Sequence, residues 1–306
     1  MSVTAIATAW MLRHFVKPRM AGGTLEEGRR SFESMALRTK VPEGTVVNAV
    51  RIGELGGERL TSQGVDEGRA LLWFFGGGYQ VGSPLTTRAL AIRIAAAARV
   101  CAFVPAYRRC PEHPLTASLE DALVAYRWLQ GDLGSGDGIV VGGESAGGGL
   151  ALRLVGALRD AGDSLPAAVV VISPWTDLAM TGPSIKSNAR SDALFSPAFL
   201  ERTAAGLMGV TDPRDPRFSP LYADLSGFPP LLVHVSGDEV LRDDSVRLAE
   251  RARSAGVDVT LRVFPGLWHV FHASTDLPEA RKAVSEIADF ARDRLARRES
   301  RIARPE

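Results

Sequence analysis

Gly143-Glu144-Ser145-Ala146-Gly147 stands between the apolar run Ile139-Val140-Val141 and a helical pattern of Leu150, Leu154 and Leu158. A serine on a sharp strand-to-helix turn has its hydroxyl pushed clear of the backbone. Glycines two before and two after leave room for that strained turn. The following helix aims its N-terminal amides at any anion formed there. Such a serine is equipped for nucleophilic attack. A chance match in a glycine-rich turn is the bland alternative; the strand and helix on either side argue against it.

A serine hydroxyl is a poor nucleophile at neutral pH and needs a base, which in turn needs an orienting acid. Where an elbow serine is used, the chain order is nucleophile, acid, base. Three histidines follow Ser145: His234, His269 and His272. His234 lies inside the apolar run 231–235, where a core histidine is expected. His269 follows a strand pattern and the turn Pro265-Gly266, at a strand's carboxyl end, and is favoured over His272. Asp238, two residues past Ser236, leaves the neighbouring strand at the same edge and is the expected acid. Glu239, Asp243 and Asp244 are rivals, with Asp243 or Asp244 better suited to capping the next helix. An oxyanion needs donors. Gly76-Gly77-Gly78 after the run 70–75 lets main-chain amides approach a ligand closely, and the Ala146 amide adds to them.

The elements around these residues alternate. Strand patterns occupy 45–52, 70–75, 100–104, 139–141, 167–172, 231–235 and 257–264; helical patterns occupy 85–98, 118–129, 146–159, 244–255 and 278–295. Short apolar strands between helices predict an α/β fold with a mostly parallel sheet covered on both faces. Ligands bind such sheets beyond the strands' carboxyl ends. The run 257–264 alternates apolar and polar residues, which places it near an edge where two copies of the chain could pair as a homodimer. Residues 1–44 and 178–226, the latter with a short helix at 198–207, interrupt the alternation and are candidate lid elements of a single domain spanning 1–306.

The 306 residues are 45% hydrophobic and 23% charged with a net charge of +1, so no nucleic-acid partner and no membrane field is implied. No run reaches membrane-spanning length. The stretch 3–12 has its basic residues after rather than before it, and reads as an amphipathic surface helix rather than a secretory signal. Cys101 and Cys110 make neither a disulfide framework nor a zinc site, and suit the reducing cytoplasm. The arginine-rich stretch from Arg292 to Arg304 reads as a solvated helix end. No metal-ligand cluster or dinucleotide fingerprint occurs, so no cofactor is expected.

The chain resembles the hormone-sensitive-lipase-like branch of the α/β-hydrolases, the bacterial esterase family, over nearly its whole length. The resemblance rests on Gly76-Gly77-Gly78-Tyr79, Tyr107-Arg108, Pro111-Glu112-His113-Pro114, Glu120-Asp121 and Gly143-Glu144-Ser145-Ala146-Gly147-Gly148. It continues through Ser173-Pro174-Trp175-Thr176-Asp177, Ser219-Pro220-Leu221, Gly237-Asp238-Glu239 and His269-Val270-Phe271. It implies an α/β-hydrolase fold with a helical lid from the N-terminal region and the segment after Trp175. It implies the triad Ser145, Asp238 and His269, and oxyanion donors at Gly77, Gly78 and Ala146. Within the family the chain looks closest to esterases and lactone hydrolases such as the monoterpene ε-lactone hydrolases.

Three departures stand out. The family's histidine before the three glycines is Phe75, which cannot brace the loop by hydrogen bonding and is expected to lower turnover or reshape the acyl site. The family's Tyr-Arg-Leu-Ala-Pro-Glu becomes Tyr107-Arg108-Arg109-Cys110-Pro111-Glu112, and its Pro-Ala-Ala becomes Thr116-Ala117-Ser118. Glu112 is expected to anchor the oxyanion loop, and His113 and Asp177 to be structural. Tyr79, Trp175, Phe195 and Trp268 could line an apolar substrate pocket or pack in the core.

The expected function is hydrolysis of small carboxylic esters, including lactones, through an acyl-enzyme. Amide or carbamate hydrolysis on the same residues is the alternative. A non-catalytic small-ligand receptor is the third reading; such receptors typically lose the base, whereas His269 is present here. A histidine base implies an acid limb in the pH–rate profile where imidazoles ordinarily titrate, near ~6.5.

Overall fold

A computed structural model describes residues 1–302; the last four residues, Arg304 of the arginine-rich stretch among them, lie outside the described residues. The chain opens on helix α1 (Val3–Met11), which runs through a π-helical turn, Leu12–Val16, into α2 (Lys17–Gly22). Helix α3 (Leu25–Arg38) starts in a capping box, with Thr24 and Glu27 satisfying each other's backbone amides. The strands follow as β1 (Val46–Ile52), β2 (Leu55–Thr61), β3 (Asp66–Phe74), β4 (Val100–Pro105), β5 (Ile139–Glu144), β6 (Ala168–Ile172), β7 (Leu231–Ser236) and β8 (Val259–Phe264). Between them come α4 (Pro84–Ala98), α5 (Leu115–Leu133), α6 (Ala146–Ala161), α7 (Ser184–Ser187), α8 (Pro197–Met208) and α9 (Arg242–Ser254); α10 (Pro278–Ile302) closes the chain.

The eight strands form one sheet in the order β1-β2-β4-β3-β5-β6-β7-β8. The pairs β1–β2 and β2–β4 are antiparallel, and every pair from β4–β3 through β7–β8 is parallel. Every residue of β4, β5, β6 and β7 is buried. Both sheet faces must therefore be covered there, which is why these strands are apolar without alternation. Helices α4 and α10 pack on each other and on the sheet, and α5 and α6 form a second such pair. Strand β8 occupies the edge that its alternating pattern predicts, and its residues are only partly buried or exposed.

Strand β2 is absent from the sequence expectation. Gly56-Gly57 interrupts its pattern, and the strand forms because a turn at Gly53-Glu54 folds it back on β1. Glycine is required at Gly57, where a Cβ would lie 2.7 Å from the Val104 carbonyl oxygen. The arginine-rich end is helical through Ile302; Arg292 donates to the Ala97 carbonyl and Arg294 pairs with Asp258.

The expected capping role of Asp243 or Asp244 is corrected. Helix α9 begins at Arg242, so both acids lie inside its first turn, and the residue at its cap, Leu241, makes no side-chain bond. Their carboxylates bind other segments instead. Asp243 accepts from the Ser184 amide at 2.7 Å, and Asp244 Oδ2 accepts from the amides of Thr176 (2.8 Å) and Asp177 (2.9 Å). Burial pushes Asp244 up to about 8, and the charge of Asp177 adds to the shift.

An unfolded aspartate titrates near ~3.9. Between there and about 8 the folded protein holds a proton that the unfolded chain has lost. That contribution to stability is complete below the unfolded value and is lost as pH rises through the folded one. Asp244→Asn keeps an acceptor for both amides. Its unfolding midpoint, followed from about pH 5 to pH 9, should fall less than that of the wild type. Equal slopes would mean that Asp244 is ionised throughout.

Candidate active site

Strand β5 ends in Glu144, and Ser145 turns the chain into α6 with φ 56° and ψ −124°, a conformation that side chains rarely adopt. The surrounding bonds hold it there. The Ser145 amide donates to the Ile172 carbonyl at 2.8 Å, and its own carbonyl accepts from Gly149 (3.1 Å) and Trp175 (3.0 Å). The flanking glycines are steric necessities. A Cβ on Gly147 would lie 2.1 Å from the Phe74 carbonyl oxygen, and one on Gly143 would lie 2.5 Å from the Gly147 carbonyl.

The glycine loop lies against the serine. A Cβ built on Gly76 would be 3.1 Å from that of Ser145. Gly77 and Gly78 have φ of 120° and 60°, in the left-handed region that glycine enters without strain. The Gly77 carbonyl accepts from Gln80 and Val81, closing a tight turn. Among the described residues, the amides of Gly77, Gly78 and Ala146 donate to no recorded backbone or side-chain acceptor. They are therefore available as oxyanion donors.

Glu144 holds this loop from below. Its Oε1 accepts from the Gly76 amide at 2.8 Å, and its Oε2 accepts from Trp73 Nε1 and, at 3.1 Å, from Thr87 Oγ1. Burial pushes the carboxyl up to about 7 against the pull of these donors. Phe75 cannot make the bond expected of a histidine there. Its ring stacks on Tyr107, centroids 4.0 Å apart, and the Tyr107 hydroxyl donates to the Phe75 carbonyl at 2.8 Å. Arg29 on α3 fastens the far side by donating to the Gln80 and Cys110 carbonyls and to Glu112. Glu112, held down to about 2 by this guanidinium, thus anchors the loop through Arg29.

His269 follows β8 and is buried. Its Nδ1 lies 3.3 Å from Glu239 Oε2. Asp238, the expected acid, is bonded elsewhere. Asp238 turns outward, accepting from the Gly266 amide at 3.1 Å, while its own amide donates to Ser236 Oγ. Glu239, one residue on and one methylene longer, points into the protein. Its neighbours Val240 and Leu241 are buried too, the one sequence signal that favoured it. Burial raises the Glu239 carboxyl, and the His269 side chain opposes that rise. The 3.3 Å contact is within ion-pair range but falls outside hydrogen-bond alignment, and catalytic hydrogen bonds commonly tighten only once substrate binds.

Ser173 stood in the sequence only as part of the Ser173-Pro174-Trp175-Thr176-Asp177 motif, with no role of its own. Its hydroxyl donates to Glu239 Oε2 at 2.9 Å and accepts from the Val270 amide at 3.3 Å, joining the acid to the residue after the imidazole. His234 and His272 form a separate buried pair, Nδ1 to Nε2 3.2 Å. Burial drives His234 down to about 3, as expected of a core histidine.

The four aromatic candidates separate. The Phe195 ring meets His269 edge-on at 4.8 Å. Trp175 is buried beside Ser145 with its ring edge reaching Gly78. Tyr79 is buried in the main core, with the Arg153 guanidinium over its ring. Trp268 packs with Ala5 and Ala9 of α1 in a satellite cluster, away from the main core. Its side chain packs α1 onto the body of the fold. The described residues contain no group of His, Cys, Asp and Glu able to hold a metal ion.

A sequence profile of the α/β-hydrolase fold family matches residues 71–273. An acetyl-hydrolase of Streptomyces hygroscopicus is 42% identical over 254 residues, covering 82% of this chain and 83% of that protein. The carboxylesterase/phospholipase LipF of Mycobacterium tuberculosis is 32% identical over 96% of this chain and 83% of its own. The crystal structure of an esterase from the bacterial hormone-sensitive lipase family superposes with a TM-score of 0.91 at 35% identity, covering 96% of this chain and 99% of the other. The chain belongs to the α/β-hydrolase family. Within that family it falls in the hormone-sensitive-lipase-like branch of bacterial esterases, and it is a hydrolase of the serine carboxylesterase type.

Glu144→Gln puts an amide N–H against Trp73 Nε1–H, two donors face to face, and should displace the loop. Ester turnover is expected to fall ~10²-fold in kcat, with KM within a few-fold. An unchanged kcat would mean that the Tyr107–Phe75 contact and Arg29 set the loop without Glu144.

Proposed function

We propose that Ser145, His269 and Glu239 hydrolyse small carboxylic esters through an acyl-enzyme. The observation that carries this is the strained Ser145 turn, set beside three free amides. Ser145 Oγ attacks the acyl carbon while His269 Nε2, the ring nitrogen not aimed at Glu239, takes its proton. Glu239 orients the imidazole and stabilises its charged form. The amides of Gly77, Gly78 and Ala146 receive the oxyanion. His269 then protonates the leaving alcohol and activates the water that releases the acid.

Bulky groups crowd the glycine loop: a Cβ on Gly78 would lie 3.3 Å from Thr203 and 3.8 Å from the Trp175 ring. Such crowding favours short acyl groups, in keeping with relatives named acetyl-hydrolases. Lactones are cyclic esters and can use the same machinery. Residues 1–44 and 178–226 act as the lid. Phe195 stands over His269, and Arg13 and Lys17 from the first segment bond to carbonyls of the second. The exposed edge β8 is the surface through which two copies would pair. The free, buried thiols of Cys101 and Cys110 fit a cytoplasmic setting, and no helix among the described residues is long and apolar enough to cross a membrane.

Nitrophenyl esters from acetate to laurate, with a lactone panel alongside, test this reading. Ser145→Ala should abolish turnover, and the optimum should fall at the short end. Glu239→Gln should lower kcat by up to ~10⁴-fold, as loss of an orienting carboxylate does in a serine triad, while Asp238→Asn stays within a few-fold of wild type. The reverse ranking would restore Asp238 as the acid.

A further inference from the structure

The helical run from α1 through α2 presents two unlike faces. Ala5 and Ala9 are buried against the body of the protein, in a cluster with Trp268, Phe271 and Ala280. A second face is apolar and open: Val3 is 83% exposed, Ile6 57%, Trp10 54% and Phe15 49%. Positions 3, 6 and 10 follow one another at helical spacing, so these side chains form a single stripe. Trp10 and Phe15 meet edge-on at 5.7 Å, and Trp10 stacks on His14 at 4.6 Å. An exposed aromatic cluster continuing an aliphatic stripe is an interaction surface rather than scattered surface apolarity.

Charge identifies the partner. Residues 1–25 contain Arg13, Lys17 and Arg19 and no Asp or Glu. The cations follow the aromatic end of the stripe. Arg13 and Lys17 donate to the carbonyls of Ser191, Ala189 and Asp192, and Arg19 is exposed. An apolar face ending in Trp and Phe, with cations beside it, matches an anionic phospholipid surface: apolar groups enter the acyl boundary and cations meet the headgroups.

We propose that α1–α2 docks the protein reversibly on anionic lipid surfaces and presents the site to esters held there. The same helices reach the site. Arg13 and Lys17 grip the 189–192 segment. The Asp192 carboxylate in turn accepts from the amides of Leu194, Phe195 and Val240, beside His269 and Glu239. This coupling to turnover rests on the proposed ester hydrolysis, whereas lipid binding does not.

The test is co-sedimentation of the full chain with vesicles of phosphatidylcholine, alone or mixed equally with phosphatidylglycerol. Ser145→Ala protein is run in parallel, so that binding is read without hydrolysis. Wild type and Ser145→Ala should both bind the mixed vesicles. Ile6→Ser combined with Trp10→Ser should bind ~10-fold more weakly or worse. Arg19→Glu should lose much of the preference for the anionic mixture. The double variant should keep the wild-type circular-dichroism spectrum and unfolding midpoint, which establishes that it folds, while its hydrolysis of an emulsified ester falls relative to that of a soluble short one. No vesicle binding by wild type, or equal binding by the double variant, overturns the proposal. So does a wild-type dimer in sedimentation velocity that the double variant converts to monomer without any lipid binding, because the stripe would then face a second copy of the chain.

Discussion

The turn at Ser145 is the constraint around which the site is arranged. Its positive φ directs the backbone from β5 into α6 within one residue. That path brings α6 so close to β3 that a Cβ on Gly147 would collide with the Phe74 and Phe75 carbonyls. The close approach sets the end of β3, and hence the glycine loop, against the serine. A looser turn would relieve the strain and separate Ser145 from the glycine loop. Strain of this kind persists only where the surroundings over-determine it, and here the amide and carbonyl of Ser145 are both tied to the β6 side of the sheet.

The two buried carboxylates nearest this turn have different tasks. Glu144 faces only donors, and the Thr87 hydroxyl relays between Trp73 Nε1, from which it accepts at 3.1 Å, and Glu144. It shapes a loop and stays beneath the reacting atoms. Glu239 faces a base and a hydroxyl, and one of its oxygens, Oε1, has no partner. Burial raises its affinity for a proton, and the neighbouring His269 side chain opposes that rise.

The fold was legible because its signals are long. Fully buried parallel strands read as unbroken apolar runs, and the elbow is a five-residue pattern with obligatory glycines. Strand β2 escaped because its glycines, needed for close packing on β4, erase the alternation. Ser145, the glycine loop and His269 stood out because the first two follow a strand almost at once and the third follows one after a short turn. The sequence favoured Asp238 over its rival Glu239, but these are adjacent carboxylates on one tight turn. A one-residue step there swings the side chain from the Gly266 amide to the imidazole, and only the tertiary path of the turn decides between them. The aromatic candidates fared similarly: sequence places each in a loop, but burial against α1 or α6 depends on long-range packing.

That tertiary path is fixed from outside the sheet. Asn188 donates to the backbone carbonyls of Gly237 and Glu239, Ser191 donates to that of Asp238, and Asp192 accepts from the Val240 amide. One short stretch of the 178–226 segment thus holds the whole acid turn and, through Phe195, also contacts the base. Helices α1 and α2 hold that stretch in turn. The segments covering the strand ends therefore do more than exclude water. The position of Glu239 depends on them, so a shift of the N-terminal helices would reach the His269 imidazole through backbone hydrogen bonds, without any change in the sheet that carries Ser145.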